Sequence, residues 1–187
     1  MKTISFINQK GGVGKSILAD ELAFEFERKN IRFSLYDLDG QGGLLHEETN
    51  NADADYNIVD TPGQLTKDIT NVIKESDIII VPTRASVKEM EPLNRTLQLI
   101  KSCKKPTAMV ILVLNGWNRF TAYAQFEEWL KTEYPEFNKI ITIPQSEALS
   151  QAGAYGQSVI QYQPKNKASE QLLKLWAIAE CELGLMI

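Results

Sequence analysis

Hydrophobic residues form short runs bounded by turn residues, and longer segments with helical spacing lie between these runs. The short runs predict strands near residues 3–8, 32–37, 56–60, 77–82, 107–114 and 139–143. The longer segments predict helices near 15–29, 65–75, 87–103, 119–132 and 168–183. Because strands alternate with helices, we expect an α/β fold of three layers, in which helices cover both faces of a doubly wound, mainly parallel sheet.

Two segments stand out from this alternation. The run at 77–82 reads Asp-Ile-Ile-Ile-Val-Pro, without alternating polar positions, as expected for a strand that helices cover on both faces. The segment 46–55 is polar throughout except for two alanines. Its composition predicts a mobile surface loop between two strands.

The last predicted helix has an apolar stripe along one side and acidic residues elsewhere. The stripe consists of Leu172, Leu175, Trp176, Ala179 and Leu183. A helix that lies on a membrane would favour Lys and Arg on its polar face, because these residues attract anionic lipid. We therefore expect this helix to pack against the core, and we expect no membrane partner.

Length, composition and charge bear on the number of domains and on the cellular location of the protein. The chain has 187 residues, of which 43% are hydrophobic and 24% charged, so a single domain over 1–187 is expected. The net charge of -4 argues against a broadly basic surface. Cys103, Cys181 and the lone His46 show no metal-binding spacing. Because the sequence shows no signal peptide and no long apolar run, we expect a cytoplasmic protein, with association with the nucleoid left open.

A glycine-rich segment follows the first predicted strand and leads directly into a helical pattern. It reads Asn-Gln-Lys-Gly-Gly-Val-Gly-Lys-Ser over residues 8–16. Strand, glycine turn and helix together are the context of a phosphate-binding loop, whose backbone amides curl around phosphate oxygens. A turn without a ligand would not explain two lysines that flank three glycines in this order. The residues expected to contact nucleotide are Gly11, Gly12, Val13, Gly14, Lys15, Ser16 and Ile17.

Three carboxylates are expected at the same edge of the sheet. Asp37 and Asp39 follow the second predicted strand, and Asp60 ends the third. The carboxyl ends of parallel strands meet at one edge, where the glycine-rich loop also lies. Asp37 and Asp39 would point to one face if their strand continues that far. Acidic turn formers would explain one such aspartate, but they are a weak explanation for all three.

These positions predict a site for nucleotide phosphates and Mg²⁺. Lys15 would hold β- and γ-phosphate oxygens, and the Ser16 hydroxyl would be a Mg²⁺ ligand. Asp60, after an apolar strand, has the character of an aspartate that holds Mg²⁺ through water. Lys10 would crowd Lys15 with like charge unless its side chain points away from the loop.

The segment Lys10 to Ser16 resembles the deviant Walker A motif of the ParA and MinD family of P-loop NTPases. The resemblance extends over nearly the whole chain and implies an ATP hydrolase that forms a homodimer when it binds ATP. It implies that Lys10 reaches the nucleotide of the other subunit, that Asp39 orients the attacking water, and that Asp37 is an outer-sphere partner of Mg²⁺. Asn115 resembles the family's adenine-reading asparagine, although Asn-Gly is equally common as a turn.

The resemblance also implies partners, and the closest group is the small ParA-type plasmid partition ATPases. Such proteins bind nonspecific DNA as dimers and respond to a DNA-bound adaptor of ParB type. Candidate DNA-binding lysines are Lys101, Lys104 and Lys105 in one group, and Lys165 and Lys167 in another, although solvated surface charge explains both groups equally well. A MinD-like membrane-associated positioning ATPase and an ATP-dependent ligase or kinase are the alternatives.

The sequence departs from the family pattern at two places after the second strand. Gly40 stands where the family usually has proline, which is expected to loosen the turn. Only residues 43–55 separate the acidic motif from the third strand, where family members usually have an additional helix and strand. This shortening removes surface that could bind a partner or contribute to the dimer.

Overall fold

The computed structural model describes residues 1–40, 42–64, 67–118 and 121–185. Within these residues, one parallel sheet has the strand order β2-β3-β1-β4-β5-β6. The strands are β1 (Lys2–Phe6), β2 (Phe33–Asp37), β3 (Tyr56–Asp60), β4 (Ile78–Thr83), β5 (Met109–Trp117) and β6 (Lys139–Pro144). Strand order reverses between β1 and β4, and a ligand crevice in such a sheet lies at the carboxyl ends of the strands beside this reversal.

Helices connect the strands and cover both faces of the sheet. They are α1 (Lys15–Arg28), α2 (Lys67–Glu75), α3 (Val87–Cys103), α4 (Thr121–Glu133), α5 (Glu147–Ala154), α6 (Val159–Tyr162) and α7 (Lys167–Leu183). One core lies under α1, α5, α6 and α7, and the second lies under α2, α3 and α4. The predicted α/β fold with a doubly wound parallel sheet is confirmed.

The structure contains the predicted strands and long helices, and it also contains two short helices that the sequence did not predict. Every predicted strand is present, although β5 continues to Trp117 instead of ending at residue 114. The predicted starts of two helices, at 65–66 and 119–120, lie outside the described residues. Helices α5 and α6 were not predicted, because eight and four residues are too few to show a clear helical period.

The apolar stripe of the last helix lies in the core, as predicted. Leu172, Leu175 and Trp176 are at most 1% exposed, and Trp176 is among the largest fully buried side chains. The C-terminal end of α7 lies beside the start of β1, because the Lys2 Nζ donates a hydrogen bond to the Glu182 carbonyl at 3.1 Å. Helix α7 therefore runs antiparallel to the strands and begins near their carboxyl ends.

The segment at 46–55, expected to be a mobile loop, is hydrogen bonded to β2, the outermost strand of the sheet. The backbone amide of Leu35 in β2 donates to the Thr49 carbonyl at 3.0 Å, and the Thr49 amide donates back to Leu35 at 2.9 Å. The Asn51 amide donates to the Ser34 hydroxyl at 2.9 Å. Because β2 is an edge strand, these bonds satisfy backbone groups that its missing neighbour would otherwise leave open. Polar composition alone did not indicate this pairing.

Candidate functional site

The glycine-rich loop between β1 and α1 is anchored at its start by Asn8. The Asn8 side chain is 1% exposed; its amide donates to the Pro82 carbonyl at 2.7 Å and its Oδ1 accepts from the Lys10 amide at 2.9 Å. The Gln9 amide donates to the Thr96 hydroxyl of α3 at 3.2 Å. The start of the loop is thus attached to β4 and α3, the elements across the reversal in strand order.

Glycine is required in this loop by backbone conformation and by close approach. Gly12 and Gly14 have φ angles of +73° and +101°, which residues other than glycine rarely adopt. Gly63, in the turn after β3, lies against the loop: a Cβ atom there would be 3.0 Å from the Gly11 amide nitrogen. The turn after β3 and the glycine-rich loop therefore pack directly on each other.

Lys15 begins α1 and its side chain points inward. The residue is 5% exposed, and its Nζ donates a 3.4 Å hydrogen bond to the Lys10 carbonyl. Burial lowers the pKa of Lys15, and the charges of Asp60 and Asp39 act in the opposite direction. The lysine is thus held inside the loop, facing the carboxylates that end the neighbouring strands.

Asp60 is completely buried at the end of β3. Neither of its carboxylate oxygens makes a hydrogen bond of good geometry with a described residue, although the Ser16 hydroxyl lies near enough to stabilise the charged carboxylate. Burial raises its pKa to about 6; the Ser16 hydroxyl and Lys15 oppose this rise, while Asp37 and Asp39 add to it. A buried carboxylate without a partner is costly, so such a group is expected where a ligand completes its coordination.

The residues beside Asp60 fit a Mg²⁺ ion. Mg²⁺ takes oxygen ligands and is usually bound by one or two protein groups together with phosphates and water. The Ser16 hydroxyl and the Asp60 carboxylate are such oxygen donors. Among the residues that the structure describes, no group of three or more His, Cys, Asp or Glu side chains could hold a metal on its own. Phosphate and water would therefore supply the remaining ligands.

Asp37 and Asp39 lie close to Asp60 but differ from the expected geometry. Asp37 pairs with Asp60 in the sheet register, and β2 ends there, so the strand does not continue to Asp39. The Asp37 Oδ1 accepts hydrogen bonds from the amides of Asp39 at 2.9 Å and Gly40 at 3.4 Å. Asp37 therefore shapes the turn that carries Asp39, in addition to lying beside Asp60.

The turn after β2 places Asp39 opposite the glycine-rich loop. Asp39 lines a cavity of about 410 Å³ together with Gly11, Pro62 and Gly63. Gly40 has a φ of +61°. Proline is locked near -65° and cannot adopt this conformation, so the turn differs from one built around proline. The substitution changes the shape of the turn as well as its flexibility.

Lys10 and Asn115 lie on either side of the loop. Lys10 is exposed, and its ammonium makes no ion pair with any residue that the structure describes. The Asn115 amide donates to the Val13 carbonyl at 2.8 Å, and a Cβ on Gly14 would lie 2.2 Å from its nitrogen. Asn115 and Ile17 also line a cavity of about 240 Å³. The predicted adenine contact of Asn115 remains a prediction, since the amide already holds the loop.

Residues 4–159 match the CobQ/CobB/MinD/ParA nucleotide binding domain. The chain belongs to this family. A 46-residue stretch is 50% identical to protein IncC of Escherichia coli; it covers 25% of this chain and only 13% of IncC. An ATP complex of McdA from Cyanothece has a TM-score of 0.77 and 19% identity, over 98% of this chain and 96% of that one. A ParA family ATPase from Chlorobium tepidum has a TM-score of 0.73 and 19% identity, over 95% and 98%.

The two lysine groups of this ParA/MinD-family chain lie at opposite ends of the sheet. Lys101 pairs with Glu136 at 2.6 Å and Lys105 pairs with Asp77 at 2.7 Å, both near the amino ends of the strands. Lys165 and Lys167 flank the start of α7, are exposed, and make no ion pair within the described part of the chain. The second group is therefore free of acidic partners there, whereas two lysines of the first group are neutralised.

Several residues that build the site in this family member were not predicted. Asn8 and Gly63 hold the loop, and Gly43 lies so close to Ser16 that a Cβ would be 2.7 Å from the Ser16 hydroxyl. Gly63 follows proline after a strand, which is a turn signal, but the sequence does not show what the turn packs against.

A helix that spans a membrane must be both long and apolar. None of the described helices combines the length and the apolar composition that such a span needs.

Proposed function

We propose that this chain is a ParA-type ATPase that binds ATP with Mg²⁺, dimerises in the ATP-bound state and dissociates after hydrolysis. The observation that carries the proposal is the buried carboxylate of Asp60, which makes no hydrogen bond of good geometry with a described residue and lies beside Ser16 and Lys15. A metal ion that bridges nucleotide phosphates would relieve its unfavourable burial. Family membership supports nucleotide as the ligand.

Each residue has a defined role in the proposed reaction. Lys15 would bind the β- and γ-phosphate oxygens, and Ser16 and Asp60 would hold Mg²⁺. When bound, Mg²⁺ neutralises charge on the phosphate oxygens. Asp39 accepts a hydrogen bond from the attacking water and orients it, since its cavity adjoins the glycine-rich loop. Asp37 keeps Asp39 in place through the amide hydrogen bond and is an outer-sphere partner of Mg²⁺.

The carboxyl edge of the sheet is the face that we propose for dimerisation. Lys10 is exposed there without an ion pair among the described residues, as expected if its ammonium contacts phosphate bound to the other subunit. Exposed apolar side chains lie at the same edge, namely Ile17 at 47%, Leu38 at 43% and Val87 at 84% exposure. A second copy of the chain would cover these side chains together with the nucleotide.

We further propose that the dimer works in DNA partition or cargo positioning, with nonspecific DNA and a DNA-bound adaptor of ParB type as partners. Lys165 and Lys167 support DNA contact, because their charges have no acidic partner within the described residues. They lie at the start of α7, which is the end of this helix nearer the carboxyl edge of the sheet. A dimer would present two such groups and make the second DNA contact intramolecular. A nucleoid location in the cytoplasm would follow from this binding.

The test is the size of the protein in solution with ADP, with ATP and with a nonhydrolysable ATP analogue. The wild type should be monomeric with ADP and dimeric with the analogue. Lys10→Ala should bind ATP as a monomer with nearly wild-type affinity, but it should fail to dimerise and lose most of its turnover. Lys88→Ala is the matched control, because Lys88 is exposed near the same edge and has no assigned role.

Each of three outcomes would contradict part of the proposal. Loss of monomer ATP binding in Lys10→Ala would mean that Lys10 acts within its own subunit. A wild type that stays monomeric with every nucleotide while phosphorylating or ligating a small molecule would indicate the ligase or kinase alternative. Binding to anionic vesicles only with ATP would instead favour the MinD-like alternative.

A further inference from the structure

Residues 43–46, in the short connection between β2 and β3, lie along the side of α1. Gly43 lies against Ser16 at the start of this helix, and a Cβ on Gly43 would be 2.7 Å from the Ser16 hydroxyl and 3.1 Å from the Ser16 Cβ. One helical turn further on, Leu45 and His46 lie against Asp20. Residues 43–46, which begin four positions after Asp39, therefore lie against the helix that carries Ser16.

Asp20 is the residue to which this connection is attached. Its side chain is 4% exposed. Its carboxylate accepts hydrogen bonds from the Leu45 amide at 2.9 Å and 3.0 Å and from the His46 amide at 3.1 Å. The His46 Nδ1 lies 2.7 Å from the Asp20 Oδ1. A short polar side chain in the interior of a helix normally faces solvent or its own backbone, so this convergence of donors from another segment is specific.

His46 is surrounded by acidic groups and one aromatic ring. On α1 it faces Asp20, and its Nε2 is 3.7 Å from a carboxylate oxygen of Glu27. Its ring contacts Phe24 edge-on at a centroid distance of 4.2 Å, and Glu47 and Glu48 follow it in the chain. Burial works against the charged ring, but the hydrogen bond and charge of Asp20, followed by Glu27, raise the pKa of His46.

We propose that Asp20 and His46 are positioning residues, which clamp residues 43–46 to α1 and so fix the distance between Asp39 and Ser16. The proposal rests on the proposed ATPase function for its consequence, but not for the clamp itself. The connection has only residues 43–55, and the buried Asp20 carboxylate holds its first part through four hydrogen-bond contacts. Asp39 can orient water only while its turn keeps a fixed position relative to Ser16, which would hold Mg²⁺.

The first experiment measures the clamp without any catalytic readout. His46 is the only histidine of the chain, so a tag-free protein gives a single imidazole signal whose titration can be followed by NMR. The pKa of His46 in the wild type should lie above the ordinary range of histidine. Asp20→Asn should lower that pKa and speed hydrogen exchange of the Leu45 and His46 amides by at least about tenfold. Asp53→Asn is the matched control in the same connection and should change neither. Equal titration and exchange in wild type and Asp20→Asn would overturn the clamp.

The second experiment separates positioning from simple stabilisation. His46→Ala should lower kcat by about tenfold or more while changing ATP affinity less than about threefold, because misplacement by about 1 Å is costly for the reaction and not for phosphate binding. His46→Asn should restore most of kcat, since its amide can donate from the place of Nδ1, and its activity should lack the pH dependence that His46 adds. An unchanged kcat in His46→Ala would overturn the positioning role. An inactive wild type with the expected titration would instead contradict the ATPase function and leave the clamp standing.

Discussion

The carboxyl edge and the amino edge of the sheet differ in how their charges are used. At the amino edge, acidic and basic side chains pair with each other, as in Lys105 with Asp77 and Lys101 with Glu136. At the carboxyl edge, Asp60 is buried without a well-formed hydrogen bond and Lys10 is exposed without an ion pair, as far as the structure is described. Charges that stabilise a fold acquire partners within the chain, whereas charges that bind a ligand are left for the ligand.

The same contrast appears along α1 itself. Its first turn carries Lys15 and Ser16 towards Asp60. Its later turns carry three buried carboxylates, and each of these accepts hydrogen bonds: Asp20 from residues 45–46, Glu21 from the Ser158 hydroxyl and Val159 amide, and Glu25 from Arg28. Burial alone therefore does not distinguish Asp60 from these three carboxylates; the lack of a well-formed hydrogen bond at both of its oxygens does.

The largest effect is expected from removing the cation beside Asp60. Lys15→Ala should weaken ATP binding by about 10²–10⁴-fold, because Lys15 serves two phosphate oxygens and each charge-assisted hydrogen bond contributes roughly 1.5–3 kcal/mol. Binding of a fluorescent ATP analogue measures this directly. Lys88→Ala should bind normally. Wild-type affinity in Lys15→Ala would remove the distinction between the two edges, because the buried lysine would then be structural.

Sequence patterns predicted the carboxyl edge better than its connections. The contiguous motif around Lys15 and the strand ends at Asp37 and Asp60 were predicted because neighbouring residues carry the signal. The bond between Asp20 and His46 joins residues 26 positions apart, and in the sequence each looks like an ordinary polar residue. The positive φ of Gly40 was also not predictable, since glycine allows several turns and the structure shows which one forms.

The second prediction is that Asp60→Asn lowers the rate of hydrolysis but raises the stability of the fold at neutral pH. Asp60→Asn should lower Mg²⁺-dependent hydrolysis by about 10–100-fold, as expected for a residue that would help to hold the metal. Its nucleotide-free form should gain stability relative to the wild type as pH rises. The folded pKa of about 6 lies above the ordinary 3.8, so the burial cost is absent below about pH 4 and complete above about pH 6.

The size of that pH effect follows from the pKa difference. At about 1.4 kcal/mol per pKa unit, the stability difference between Asp60→Asn and wild type should change by roughly 3 kcal/mol from pH 4 to pH 8. Urea unfolding without nucleotide or Mg²⁺, at several pH values, measures it. A difference that is independent of pH would show that Asp60 is partnered or hydrated in solution, which would break the comparison with Asp20.

The third effect tests a partnered carboxylate. Glu21→Ala should destabilise the chain by about 2–4 kcal/mol, because it leaves the buried Ser158 hydroxyl and Val159 amide without an acceptor and each such donor costs roughly 1–3 kcal/mol. Glu25→Ala is the control: its partners Arg28 and Lys29 are 44% and 34% exposed and can return to water, so the loss of stability should stay below about 1 kcal/mol. Urea unfolding compares them. Equal losses would mean that partner burial does not decide the cost.

The smallest effect extends the comparison of the two edges to DNA. Replacing Lys165 and Lys167 with alanine should weaken ATP-dependent binding to duplex DNA and lower the slope of log affinity against log salt by about 0.9 for each DNA phosphate that is no longer neutralised. The double change of Lys101 and Lys105 to alanine is the matched control, because both lysines already neutralise acidic partners and should contribute little. Fluorescence anisotropy with ATP at several salt concentrations measures both. A larger loss of affinity in the control would show that paired lysines still bind DNA, so the contrast between the edges would not predict this interface. Equally tight binding with ADP would separate DNA binding from the nucleotide switch.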